Sequence, residues 1–389
     1  MKNVIIRAPL LSISGYGVHS RQVFKWLESR KDFNVVSQIV QWGNTSWMLN
    51  TDLEGGIVQR IMNTSRELKQ KADISFQVQL PDEWDPNLAK VNIGISAVVE
   101  TDKCSPGWIE SMNQMAAVIV PSNHIKQTIL NSGTITTKLF VIGEWFYDNI
   151  LKEDSESLDL NLDTSFNFLS VATFTGNDPN TDRKNLFNTI KWFCETFPND
   201  KDVGLVLKTN FGRGTHIDRA ITKNTVRSIL GEVRKGKLPR VHLIHGNLTS
   251  DEVISLYRRD DVKCLISLTR GEGFGLPLLE AAACGLPVIA TNWSAHLDFL
   301  NLGKFIPIHY RLVDITDQRV DNRIFFKGFK WADPLETDFK KKIKKFRNSS
   351  EIPKQWASKL SDQVRKKFSS KEIIGLYNKM ISEVCQGNL

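Results

Sequence analysis

The sequence has no long hydrophobic run and no closely spaced cysteine pair. Its 389 residues include no apolar stretch near the roughly 18 residues that a membrane-spanning helix needs. Arg7 and Pro9 interrupt the amino-terminal apolar run, which argues against a secretory signal peptide. The five cysteines lack a CxxC pair, and their odd count favours free thiols in a reducing compartment. We therefore expect a cytoplasmic protein whose membrane contact is at most peripheral.

Low-complexity tracts are also absent. With 41% hydrophobic and 24% charged residues, the composition is that of a soluble globular protein and excludes disordered and fibrous classes. A chain of 389 residues exceeds one ordinary hydrophobic core, so two domains are expected.

The net charge of +8 favours an anionic partner, which could be a phosphate-bearing small molecule, a membrane surface or nucleic acid. The densest basic cluster, KKKIKKFR at 340–347, places Ile343 and Phe346 three residues apart, as on one helix face. We interpret this cluster as a solvated helix surface. Contact with lipid headgroups is the alternative.

Short apolar runs alternate with helical patterns along both halves of the chain, which predicts two doubly wound α/β, Rossmann-like domains. An acidic, polar segment at 149–163 shows neither the helical nor the strand periodicity of apolar residues and is predicted to be the linker. We expect an amino-terminal domain at 1–150 and a second domain at 160–350. A helical segment at 351–389 is expected to pack back toward the first domain.

The stretch GEGFGLPLLEAAACGLPVIA begins at Gly271 and places two glutamates among apolar residues and glycines. Gly273 and Gly275 would let backbone N–H groups approach a ligand at a helix amino terminus, which suits phosphate. Glu280 lies about one turn inside this helix, where an unpaired carboxylate would be costly. A carboxylate accepts two hydrogen bonds at once, so Glu272 and Glu280 suit the hydroxyls of a sugar and a ribose. The alternative is a loop surface charge at Glu272 and a cap or ion pair at Glu280.

This stretch, with the preceding HGNLTSDEVISLYRRDD and CLISLTR, resembles the nucleotide-sugar signature of the GT-B glycosyltransferases of family 4 over about 168–298. The resemblance implies two Rossmann-like domains facing each other across a cleft. It implies that Glu280 holds ribose hydroxyls and Glu272 the hydroxyls of the donor sugar. It also implies that a run of backbone holds the donor phosphate and sugar, namely Gly273, Phe274, Gly275 and Leu276.

Family members carry a basic pair near the start of the second domain that neutralises the leaving diphosphate. Here TDRKNL supplies Arg183 and Lys184, and such fixed cations serve transfer without a metal. Many members place another arginine five residues before the matching arginine, where this chain has Asp178. Lys208, at the end of a predicted strand, either supplies that charge or is a surface residue.

In the first domain, SISGYGVHSR at 12–21 is interpreted as a glycine loop between a strand and a helix. Gly15 and Gly17 resemble the loop that contacts the donor phosphate or the acceptor in the family. A plain tight turn is the alternative. A dinucleotide site would need a third glycine, where Ser20 stands, and an acid near the end of the second strand, which is missing. Hydride transfer is therefore disfavoured.

Other candidates follow predicted strands, where ligands gather in open α/β sheets. Many relatives have a histidine where this chain has ETD, so Glu100 or Asp102 contacts the sugar or the acceptor hydroxyl, or caps the next helix. Asn292 and Ser294 follow the strand after the signature helix and are predicted to contact the donor.

The resemblance implies retaining transfer of a sugar from a nucleotide diphosphate sugar to a hydroxyl. We expect a hexosyltransferase acting on a saccharide or lipid-linked saccharide in cell-surface polysaccharide or lipopolysaccharide synthesis, with no metal or other cofactor. No carboxylate nucleophile is evident, so front-face substitution is the working hypothesis. An epimerase or phosphorylase of the same fold is the alternative. Nucleic acid is disfavoured as a partner, because basic residues interleaved with exposed aromatics are not evident.

Overall fold

The structure, a computed structural model, describes residues 1–152, 158–234 and 236–388, with side chains described through residue 385. The chain forms two compact units. The first comprises Met1–Trp145, Asn322–Phe326 and Phe368–Leu389, and the second Phe146–Asp321 and Lys327–Lys367. The sequence analysis placed the linker at 149–163, of which residues 153–157 lie outside the described residues.

In the described part of the first unit, six parallel strands form one sheet. They are β1 (Lys2–Ala8), β2 (Phe33–Ile39), β3 (Ala72–Val78), β4 (Ala89–Ile95), β5 (Ala117–Val120) and β6 (Lys138–Val141). Their order in the sheet is β2-β1-β3-β4-β5-β6. The helices are α1 (Gly15–Ser29), α2 (Leu53–Thr64), α3 (Pro106–Asn113) and α4 (Asn123–Leu130). Alternation along β1 sends Val4 and Ile6 to the main core and Ile5 to the opposite face.

The second unit, within the described ranges, also has a six-stranded parallel sheet. Its strands are β7 (Phe166–Val171), β8 (Val203–Thr209), β9 (Arg240–His245), β10 (Val262–Ser267), β11 (Val288–Thr291) and β12 (Ile306–Ile308). Their order is β12-β11-β10-β7-β8-β9. An antiparallel pair, β13 (Tyr310–Asp314) and β14 (Lys330–Pro334), lies outside that sheet. The helices are α5 (Leu186–Thr196), α6 (His216–Val233), α7 (Ser250–Arg258), α8 (Leu276–Ala283), α9 (Leu297–Leu300), α10 (Glu336–Asn348) and α11 (Glu351–Lys367).

The carboxyl-terminal helices are divided between the units. The last helix, α12 (Ser370–Asn388), belongs to the first unit, where Tyr377 stacks on Trp26 with ring centroids 4.7 Å apart. Helix α11 packs on α8 in the second unit, and Arg365 Nε donates to Ala283 O at 2.7 Å. The sequence analysis treated 351–389 as one segment. The structure splits it, because the apolar face of each helix is buried in a different core.

The short segment Asn322–Phe326 also belongs to the first unit. Arg323 forms ion pairs there, with Nε 2.8 Å from Asp82 Oδ2 and Nη2 2.8 Å from Glu83 Oε1. The chain therefore returns to the first unit at this segment and again at α12.

The basic cluster lies on α10, whose Ile343 and Phe346 are buried. Lys340 pairs with Glu195 and Glu336, Lys342 with Asp338, and Arg347 with Asp200. These pairs neutralise part of the cluster, and lipid contact stays a prediction. Separately, the described residues contain no helix that combines the length and the apolar character required to traverse a bilayer.

Candidate active site

The centre of the second sheet provides a natural ligand crevice. From β7 the chain proceeds to β8 and β9 on one side of the sheet, whereas from β10 it proceeds to β11 and β12 on the other. The loops after β7 and β10 therefore diverge, and ligands of open α/β sheets bind at such a point. The first loop carries Arg183 and Lys184, and the second carries Glu272.

Lys184 and Glu272 form a close ion pair between these two loops. Lys184 Nζ lies 2.7 Å from Glu272 Oε1 and 2.6 Å from Oε2. Glu272 is only 6% exposed. Burial by itself would raise the pKa of Glu272, but attraction to Lys184 and Arg183 outweighs it and holds that pKa below its usual value. Glu272 is therefore ionised and is not a loop surface charge.

Arg183 and Asp182 fix the shape of the loop after β7. Arg183 Nη1 donates to Gly271 O at 2.5 Å, which ties this loop to the one after β10. The buried Asp182 accepts from Thr175 N at 3.0 Å and from Leu186 N at 2.7 Å. The sequence analysis did not single out Asp182. Its signal is an acid shortly before an apolar helical run, the pattern of a helix-capping residue.

Ser294 supports the loop that carries Glu272. Its Oγ accepts from Glu272 N at 2.8 Å, and its φ of 87° is unusual for a residue with a side chain. His296 Nε2 donates to Thr291 O at 2.7 Å, which leaves Nδ1 unprotonated and 3.5 Å from Ser294 Oγ. Burial lowers the pKa of His296, which keeps the ring neutral. His296 was not predicted from the sequence. Asn292, which was predicted, is half-buried, and its backbone N–H donates to Ile308 O at 2.9 Å.

The start of α8 requires glycine. Gly275 has φ +99°, and a Cβ there would lie 3.2 Å from Leu278 Cδ1 and 3.3 Å from His296 Cβ. Phe274 is buried and packs on Phe299 with ring centroids 5.6 Å apart. Gly273 is buried in the same loop and Leu276 is half-buried. The Phe274 side chain thus belongs to the core, and the backbone of this loop is the part suited to a ligand.

Glu280 lies on α8 and is 5% exposed. Tyr257 of α7 donates its hydroxyl to Glu280 Oε2 at 3.2 Å. Burial raises the pKa of Glu280 to about 8, and the hydrogen bond from Tyr257 only partly offsets this. The carboxyl group therefore carries a proton at neutral pH. The sequence analysis expected a partner for Glu280 but did not identify Tyr257.

Lys208 is placed differently from the basic pair. It is the penultimate residue of β8, and its Nζ donates to Gly246 O at 2.8 Å, in the loop after β9. Burial lowers the pKa of Lys208 to about 8. The contacts that join Arg183 and Lys184 to the loop after β10 do not include Lys208.

The remaining candidates belong to the first unit. Gly15 and Gly17 lie within α1, which starts at Gly15, so the predicted glycine loop ends earlier than expected. Glu100 and Asp102 are half-buried in the loop after β4. Helix α3 begins at Pro106 and Ser105 precedes it, so neither carboxylate occupies the capping position.

No group of three or more His, Cys, Asp or Glu side chains among the described residues is placed to hold a metal ion. That the activity needs no metal stays a prediction.

Comparisons with known proteins agree with this architecture. Residues 226–314 match the family model of glycosyl transferases group 1. No curated protein matches the chain. Among solved structures, the chain is similar to sucrose-phosphate synthase from Thermosynechococcus elongatus, with 12% identity, 100% of both chains covered and a TM-score of 0.63.

Two further structures give the same picture. A glycosyltransferase from Rickettsia africae has 15% identity and a TM-score of 0.65, with 99% of this chain and 98% of that chain covered. A structure described as trehalose-6-phosphate from E. coli bound with UDP-2-fluoro glucose has 11% identity and a TM-score of 0.62, with 98% of each chain covered. At these identities the likeness shows the fold, and the predicted α/β class with two Rossmann-like, GT-B-type domains is confirmed.

Proposed function

We propose that the protein is a retaining glycosyltransferase of the hexosyltransferase type. It moves a sugar from a nucleotide diphosphate sugar to a hydroxyl of a saccharide or lipid-linked saccharide acceptor, in cell-surface polysaccharide synthesis at the cytoplasmic side. The observation that carries this proposal is the ion pair of Lys184 with Glu272, held beside the glycine-opened start of α8. The family-model match over 226–314 supports it and includes both glutamates.

The donor would be held by its hydroxyls and its diphosphate. Glu272 stays ionised and buried, so it is a strong acceptor for the hydroxyls of the transferred sugar. Glu280, beside Tyr257, would take the ribose hydroxyls. The backbone at Gly273 and Gly275 and the first turn of α8 would take the phosphates, because the amino terminus of a helix favours anions. Phe274, Leu276, Asn292, Ser294 and Lys208 complete the proposed donor side.

The basic pair would act on the leaving group. As the bond between the sugar and the phosphate oxygen breaks, negative charge develops on the diphosphate, and Arg183 and Lys184 are fixed cations that stabilise it. The same phosphate oxygen would receive the proton of the acceptor hydroxyl, which attacks on the face that the phosphate leaves. That geometry retains the anomeric configuration and needs no metal or other cofactor. The first unit would supply acceptor contacts, with Gly15, Gly17, Glu100 and Asp102 as candidates.

The first prediction concerns donor binding. Thermal unfolding measured with UDP, GDP, ADP and TDP is expected to show stabilisation by one of them, because a ligand that binds the native state raises its melting temperature. Glu280→Ala is expected to weaken binding of that nucleotide by about tenfold, which is about 1.4 kcal/mol, because it removes the carboxyl group that would hold the ribose hydroxyls. The matched control is Glu232→Ala, at an exposed glutamate on α6 of the same unit.

Two outcomes would contradict the proposal. One is equal nucleotide affinity in the wild type, Glu280→Ala and Glu232→Ala. The other is turnover of a nucleotide sugar that needs no acceptor or that depends on orthophosphate, which would indicate an epimerase or a phosphorylase. Proton NMR of the product, which separates the anomers, tests retention.

A further inference from the structure

Arg270 is a buried arginine between the two loops of the candidate site. It follows β10 and directly precedes Gly271, and its side chain is only 6% exposed. A buried guanidinium is costly unless its donors are satisfied, and removing its partners leaves an uncompensated charge. The contacts of Arg270 therefore show which parts of the structure depend on it.

One edge of the Arg270 guanidinium binds the loop after β7. Nη1 donates to Pro179 O at 2.7 Å, to Asn180 O at 3.2 Å and to Asp182 O at 3.3 Å. These carbonyl groups immediately precede Arg183 and Lys184 in the chain. The backbone N–H of Arg270 also donates to Arg183 O at 2.8 Å.

The other edge of the guanidinium binds β14. Nε lies 3.1 Å and Nη2 2.9 Å from Asp333 Oδ1, and the guanidinium carbon lies 5.2 Å from the ring centroid of Trp331. Trp331 is itself buried, and Ala332 N donates to Arg270 O at 3.0 Å. Arg270 is thus fixed from one side by β14, and it holds the loop after β7 from the other.

We propose that Arg270 is a positioning residue for the basic pair. It holds the carbonyl oxygens of Pro179, Asn180 and Asp182, so that the following Arg183 and Lys184 meet the loop after β10 in a fixed geometry. Each of its three guanidinium nitrogens donates to a group of the protein, so the proposal gives Arg270 no direct contact with the donor. This inference rests on the proposed function, since the fixed geometry of the basic pair affects activity only if the pair binds a diphosphate.

The loop after β7 departs from the family pattern at Asp178. Many family members have an additional arginine at the position of Asp178, whereas here Asp178 accepts from Asn180 N at 2.8 Å and from Thr181 Oγ1 at 2.6 Å. Attraction to Arg270 is among the causes that lower the pKa of Asp178, after its hydrogen bond with Thr181. The loop after β7 is therefore organised by its own Asp178 and by Arg270 of the loop after β10.

The test uses the full chain and the variants Arg270→Met, Arg270→Lys and Arg259→Met. Arg259 is the matched control, because it also pairs with an aspartate, Asp261, and donates to backbone carbonyls, at Leu158 and Leu160. The first measurement is hydrogen–deuterium exchange in ligand-free protein. The second is titration with inorganic pyrophosphate, a probe of the basic pair that needs no knowledge of the donor base.

In Arg270→Met we expect peptides covering 175–186 to exchange at least about tenfold faster, with wild-type exchange there in Arg259→Met. Pyrophosphate binding should weaken by about tenfold in Arg270→Met and stay unchanged in the control. Both effects should be intermediate in Arg270→Lys, because one ammonium group cannot bind the carbonyl groups of the loop after β7 and Asp333 in the way that the guanidinium does. If Arg270→Met fails to fold, the lysine variant carries the same comparison.

The inference is overturned if exchange over 175–186 is unchanged in the Arg270 variants, or if it rises uniformly across all peptides of the second unit. Failure of the proposed function has a different signature. In that case no nucleoside diphosphate stabilises the wild type, while the local exchange difference between Arg270→Met and Arg259→Met persists.

Discussion

Two glutamates of one short motif differ in protonation state. Glu272 is kept ionised by Lys184 and Arg183, whereas Glu280 is buried beside a neutral tyrosine hydroxyl and holds a proton at neutral pH. The sequence identified both residues because their setting among glycines and apolar residues is unusual. It could not identify Tyr257 as the partner of Glu280, or Arg270 as the residue that binds the loop after β7, since contacts across 23 or 88 positions are set by the packing of strands and helices.

The raised pKa of Glu280 predicts how stability changes with pH. Folding raises this pKa from 4.5 to about 8, so the folded state binds the proton more tightly than the unfolded state does. The contribution of Glu280 to stability is then fully present below about pH 4.5 and is lost as pH rises to about 8. The wild type should lose on the order of 3 kcal/mol over this range relative to Glu280→Gln.

Denaturant unfolding of ligand-free protein at several pH values measures this difference. Glu232→Gln, at an exposed position, should follow the wild type at every pH. A difference between wild type and Glu280→Gln that does not change between pH 5 and pH 8 would refute the assignment of the proton to Glu280.

At the scale of elements, the alternation of short apolar runs with helical patterns predicted the α/β class, because buried parallel strands are continuous apolar runs. The hairpin of β13 and β14 was not predicted. Its strands, YRLVD and KWADP, contain charged residues and are separated by a long connection, so neither gives a strong period. The glycine loop was expected to cover 12–21, but α1 already begins at Gly15 with Ser14 as its cap.

Gly17 is required in α1 because its Cα lies close to the backbone carbonyl group of Ser12. A Cβ at Gly17 would lie 1.8 Å from Ser12 O, whereas a Cβ at Gly15 meets nothing within 4 Å. Gly17→Ala should therefore lower the free energy of unfolding by at least about 2 kcal/mol. Gly15→Ala is the matched control and should change it by less than about 1 kcal/mol. Equal stability of the two variants in urea unfolding would show that Ser12 moves away without cost.

At the scale of the whole molecule, two Rossmann-like domains followed from the alternation of strands and helices. All of 351–389 was expected to pack back toward the first domain, whereas α11 belongs to the second unit and only α12 to the first. Sequence patterns show that each of these helices has an apolar face but not which core covers it. Five side chains of α12 enter the core of the first unit: Ile373, Tyr377, Met380, Ile381 and Val384.

Deleting residues 368–389 should therefore unfold the first unit and spare the second. Hydrogen–deuterium exchange should show lost protection in β1, β3 and β4, with protection retained in β7, β8 and β10. The control is Leu376→Ala, which changes an exposed side chain of the same helix and should leave both sheets protected. Equal protection of β1 and β7 in the truncated chain would show that α12 is dispensable for the first core.

The return of the chain to the first unit reverses the order in which the units are completed during translation. A ribosome has made every segment of the second unit once Lys367 is added, before α12 exists. The amino-terminal sheet is synthesised first but stays without its last helix until the end. In the interval its uncovered apolar face is open to chaperones and to aggregation.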